Sequence, residues 1–87
     1  LHNRHTSRFI IDWLEALGWT ESKLAKESGV SRPVVSAHLW AGTRKIRLNH
    51  VKAYMSVMNH QDRPKLLAAW LRDNIDAELL QDVLDDN

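Results

Sequence analysis

This sequence predicts an all-α fold, on three observations. Apolar residues recur at steps of three and four along most of its length, the spacing of one helix face. No segment alternates apolar and polar residues with period two, and no Asn-Gly or Asp-Gly pair marks a hairpin. Ser, Thr or Asp precedes several apolar stretches and Gly follows them, the order in which helices are capped. A chain of 87 residues has surface enough to bury for one core, so a compact single domain of five or six helices over residues 1–87 is expected. With 44% hydrophobic and 26% charged residues, it has the make-up of a folded protein.

The elements follow in order. Phe9, Ile10, Trp13, Leu14 and Leu17 give a first helix its apolar face, with Ser7 as its cap and Gly18 as its stop. Thr20 caps a short second helix over residues 21–28 that turns Leu24 and Ala25 inward and ends at Gly29. Ser31 caps a third, with Pro33 in its first turn, where a missing N–H costs nothing. It runs through Val34, Val35 and Leu39 to Gly42. Residues 43–47 are basic and uncapped and read as a loop. Asn49 opens a fourth helix with Val51, Tyr54, Met55 and Met58 on one face, and Asp62 with Pro64 opens a fifth striped by Leu66, Leu67, Trp70 and Leu71. Asp76 starts an acidic C-terminal helix over residues 76–86. Of the four tryptophans, Trp13 and Trp70 belong to apolar stripes, Trp19 packs beneath the second and third helices, and Trp40 either covers the end of the third or faces a partner.

Several classes of function are excluded. There is no cysteine, hence no disulfide framework and no thiolate metal site, which fits a reducing, cytosolic compartment. His2 and His5 are three apart, but no third ligand joins them, so no metal site is expected. Ser36 and His38 are two apart and do not face each other on a helix, so no nucleophile and base are paired and no enzyme is expected. No cofactor motif or small-molecule site is evident. The longest apolar run is Leu66 to Leu71, far short of the roughly 20 residues that span a bilayer. Arg4, Arg8, Asp12 and Glu15 interrupt the first apolar stretch, which does not read as a signal peptide.

The net charge of +1 conceals a division. Residues 1–52 hold nine Lys/Arg against four Asp/Glu, or +5, and residues 53–87 hold three against seven, or −4. No acidic residue lies between Glu27 and Asp62, a stretch that contains Arg32, Arg44, Lys45, Arg47 and Lys52. Such a segment attracts a polyanion whatever the charge of the whole.

The run Glu21-Ser-Lys-Leu-Ala-Lys-Glu-Ser-Gly-Val-Ser-Arg-Pro-Val-Val-Ser-Ala-His-Leu39 resembles the helix-turn-helix of the lambda-repressor-like regulators, the Cro and xenobiotic-response-element type. The helix-turn-helix covers about residues 20–42, and the likeness extends over roughly residues 7–59. Ala25 is small where the second and third helices cross, Gly29 supplies the positive φ of the turn, and Val30 and Val35 fill the gap between the helices. Leu24 and Leu39 complete the inner face. Three positions depart from the pattern. Glu21 replaces the usual Gln that contacts a phosphate, His38 stands where an apolar residue is usual, and Gly42 falls one residue late, placing an extra residue near Trp40 or Ala41.

The resemblance implies sequence-specific binding of double-stranded DNA by a bacterial or phage transcriptional regulator, with the third helix in the major groove. Arg32, Pro33, Ser36 and Ala37 are then the base readers, Arg32 as a two-bond donor to guanine. Ser31, Thr43, Arg44, Lys45 and Arg47 hold phosphates. A homodimer on a pseudo-palindrome is expected, acting in the cytoplasm on the nucleoid. Leu79, Leu80, Val83 and Leu84 form an apolar stripe on a segment too short to be a stable helix alone, and are the expected dimer surface. Two alternatives stand beside this: a protein-interaction module on the same helices, suggested by Glu21, and the targeting domain of a larger recombinase or transposase, suggested by a first residue that is Leu rather than Met.

Overall fold

Thr6, Ile10, Trp13 and Leu14 repeat at steps of three and four, and they are the buried face of the first helix, α1 (Arg4–Leu17), in the computed structural model, which describes residues 3–41 and 44–75. Four further helices follow: α2 (Glu21–Ser28), α3 (Arg32–Ser36), α4 (Leu48–Met55) and α5 (Arg63–Asn74). A π-helical turn over Ala37–Ala41 extends α3. No strand occurs among the described residues. The fold is all-α; the acidic segment 76–86 lies outside the described residues.

The packing order brings distant segments together. α1 lies against α5 and the π turn, α2 packs on α3 and α4, and α4 touches α5. Ile10, Leu24, Val35, Ile46, Val51, Tyr54 and Leu66 are fully enclosed at the junction, with Trp13, Leu14, Val30, Leu39 and Met58 almost so. Each enclosed aliphatic side chain contributes about 1.5–3 kcal/mol. Leu17, expected on the inner stripe of α1, is 51% exposed, because it lies in the last turn, past the point where α1 is covered. Leu71 is likewise exposed, whereas Leu67 and Trp70 are half-buried.

The helix ends separate local from remote control. Gly18 (φ 69°) and Gly29 (φ 79°) both take the left-handed conformation that stops a helix. A Cβ at either would meet no atom within 4 Å, so backbone conformation rather than space requires glycine. Thr20 caps α2, its hydroxyl accepting from the Lys23 amide at 3.1 Å. Ser7, expected to cap α1, lies inside that helix instead, its hydroxyl donating to the His38 carbonyl at 2.6 Å. The cap comes from α5: the Asp73 carboxylate accepts from the His5 and Thr6 amides at 2.8 and 2.7 Å and from the Thr6 hydroxyl at 2.6 Å. With those donors satisfied, α1 begins three residues before Ser7.

The end of the third helix is wound as a π turn. A π turn winds one more residue into the helix than α geometry allows. His38 and Leu39, neighbours in sequence, are both buried there, and Trp40 is turned outward at 60% exposure. The third helix is thus shorter as a regular α-helix than its apolar pattern predicts.

Candidate nucleic-acid interface

Arg32 and Pro33 open α3 and are both exposed. Ser31 precedes them at the cap position in extended backbone, but its hydroxyl bonds nothing in the helix and it too is exposed. Ser36 and Ala37, expected beside them as base readers, are half-buried one turn further on. Behind this surface Leu24, Val30, Val35 and Leu39 are buried and Ala25 is half-buried against the core.

The loop that follows is basic outside and anchored inside. Arg44, Lys45 and Arg47 are exposed, and among the described residues the only ion pair is Arg8 with Asp12. Between them Ile46 is completely buried. Asn3 braces this loop: its Nδ2 donates to the Arg44 carbonyl at 2.7 Å and to the His38 carbonyl at 3.3 Å, while its Oδ1 accepts from the Ile46 amide at 3.0 Å. Trp70 adds an indole N–H to the Ile46 carbonyl at 2.7 Å. The cationic side chains therefore stand on a backbone held by two distant residues, Asn3 and Trp70, and by the burial of Ile46. Thr43 lies outside the described residues, as do Leu79, Leu80, Val83 and Leu84.

Ser31 and Val34 border one shallow cleft with Asn49 and His50, so the start of α3 adjoins the start of α4, whose cap residue is Arg47. Burial and then the charges of Arg44 and Arg47 lower the proton affinity of the His50 ring. Beneath it, His38 is fully buried, its Nδ1 2.7 Å from the Tyr54 hydroxyl and its ring edge-on to His50 at 4.7 Å. Burial foremost, then His50 and Arg44, hold its pKa down to about 4, so the imidazole is neutral at pH 7. Burial also raises the Tyr54 hydroxyl.

The sequence pattern did not single out Asn3 or Ile46. An Asn three residues from the start and one aliphatic residue in a basic run carry no helical periodicity, so only the folded chain brings them to the site. Chemically the arrangement offers one exposed guanidinium on a helix start and three more cations on a braced loop. Among the described residues no group of three metal-ligating side chains occurs. No helix there is long and apolar enough to cross a membrane. No family model, curated protein or solved structure matches this chain.

Proposed function

We propose that the protein binds double-stranded DNA sequence-specifically as a bacterial or phage transcriptional regulator, with α2, the turn at Gly29 and α3 acting as a lambda-repressor-like helix-turn-helix. The observation that carries this is the exposed Arg32–Pro33 start of α3 beside a basic loop whose backbone is held by Asn3, Ile46 and Trp70. A mobile loop loses entropy when it grips a polyanion; a braced one has less to lose. On this reading α3 enters the major groove by its N-terminal end and Arg32 donates two hydrogen bonds to a guanine. Pro33, Ser36 and Ala37 complete the base contacts. Ser31, Thr43, Arg44, Lys45 and Arg47 hold phosphates, which position without reading sequence. Two copies act together on a pseudo-palindrome in the bacterial cytoplasm, without a cofactor.

Duplex binding across a salt series tests it. Arg32→Ala is expected to cost about 1–3 kcal/mol per half-site and to relax preference at one base pair. Arg47→Ala is expected to weaken every duplex alike and to lower the salt slope by about one unit. An equal loss on all sequences for the first variant, or an unchanged slope for the second, refutes the role assigned. A second reading, a protein-interaction module, is favoured by Glu21, whose carboxylate stands at the start of α2, and by the exposed Trp40. A folded protein that shifts no random duplex at low salt decides for that one.

A further inference from the structure

The basic loop lies beside the point from which residues 76–87 set out. On α5 the Trp70 indole N–H is bonded to the Ile46 carbonyl, between Lys45 and Arg47. About one turn further on, Asp73 holds the start of α1 through the His5 and Thr6 amides, close in the chain to the Asn3 side chain that holds the Arg44 carbonyl. α5 then closes, with the Ile75 amide donating to the Leu71 carbonyl at 2.8 Å. Five residues of helix rise only about 8 Å, so residue 76 starts near the loop backbone.

The two segments brought together in this way carry opposite charge. Residues 76–87 hold Asp76, Glu78, Asp82, Asp85 and Asp86 and no Lys or Arg. Arg44, Lys45 and Arg47 are exposed, and no ion pair among the described residues involves them. Seven residues extend as far as about 25 Å, ample to bring Asp76, Glu78 and Asp82 onto the loop. The basic side chains on the other flank of α5 are less inviting: Arg8, Lys65 and Arg72 share a cleft with Asp12, which pairs with Arg8 at 3.4 Å. One exposed ion pair is weak and easily screened. A tether multiplies its effect, because a segment joined to its target by a few residues meets it at an effective concentration in roughly the millimolar range. A loop already braced also loses little freedom on contact.

We propose that the acidic segment 76–87 docks on the basic loop of its own chain, with its carboxylates against Arg44, Lys45 and Arg47, and that a polyanion must displace it to reach those cations. The docking stands on the fold and the charges alone; the competition with DNA rests on the DNA-binding reading.

The sequence contains no cysteine, so one can be introduced for a single label. Gln81→Cys carrying a nitroxide leaves every charge in place, and its broadening of the Arg44, Lys45, Ile46 and Arg47 amide signals is followed by NMR in a dilute solution of the full chain. These signals should lose most of their intensity at low salt. They should regain it at about 1 M salt, where the screening length falls to about 3 Å. They should also regain it when Asp76→Asn, Glu78→Gln, Asp82→Asn, Asp85→Asn and Asp86→Asn are made together, and the same spectra report whether that variant is folded. Unbroadened loop signals, broadening indifferent to both salt and neutralisation, or broadening confined to Arg4 and Arg8 overturns the docking. Isotope-labelled chains without nitroxide are then mixed with unlabelled chains that carry it. Full broadening of the loop in that mixture gives the contact to a second copy and overturns docking within one chain. In a second arm, a saturating duplex should abolish the broadening. Broadening that persists on the bound duplex refutes the competition, whereas a protein that binds no duplex, with or without its acidic charges, refutes the DNA reading and leaves the first arm standing.

Discussion

α2 and α1 begin in opposite ways. α2 is closed at both ends by its own neighbours, Thr20 accepting from Lys23 and Gly29 donating to the Ala25 carbonyl. α1 stops just as locally, at Gly18, but its start is closed by Asp73, 67 residues away in the chain. A local cap is available as soon as the helix forms. A remote one exists only after the tertiary fold has formed, so it ties helix to fold cooperatively. The buried polar contacts of Asn3 and of His38 with Tyr54 belong to the second kind.

The difference can be broken by substitution. Asp73→Ala removes three hydrogen bonds to a carboxylate and leaves two helix-start amides without a partner, and about 2–4 kcal/mol of stability should go with them. Urea denaturation measures it, and a loss no greater than that of a local cap would erase the distinction drawn. Next comes acid. A buried imidazole held neutral takes up its proton less readily in the fold than in the unfolded chain. Its contribution is therefore complete above about pH 6.5 and is lost as pH falls toward 4. The slope from this one group is at most about 1.4 kcal/mol per pH unit. Stability curves at several pH values should show that acid limb in the wild type. In a His38→Leu variant, whatever its absolute stability, the limb should be shallower.

Asn3→Ala should cost about 1–2 kcal/mol and free the loop at Arg44 to Arg47. Hydrogen exchange at the Ile46 amide reads that release directly, and unchanged protection would show that Ile46 and Trp70 suffice. The smallest effect belongs to the local cap. Thr20→Ala should cost about 1 kcal/mol, with the loss confined to the first turn of α2.

The same division governs how much was legible in advance. Thr20, Gly18, Gly29 and the apolar steps of Ile10, Trp13, Leu14, Leu24 and Val35 act within a turn or two of chain, and they placed the helices. Ser7 misled for the complementary reason: it is a good cap residue, but Asp73 satisfies donors upstream of it and moves the start to Arg4. At the candidate site, Arg32, Arg44, Lys45 and Arg47 could be picked out as an uninterrupted basic segment. What holds them could not, since Asn3, Ile46 and Trp70 meet only through long-range packing. The departure at His38 was visible as a residue type. Its consequence, a neutral imidazole bound to Tyr54, depends on burial.

The π turn can be described as a correction of phase. Each residue of an α-helix advances the side-chain direction by about 100°, so one inserted residue would rotate everything beyond it by more than a quarter turn. A π turn takes one such residue into a wider winding without that rotation, and Ala37–Ala41 is wound in this way. Within it His38 and Leu39 both face the core, as Val35 does before it. Trp40, next in the chain, is left on the outer surface.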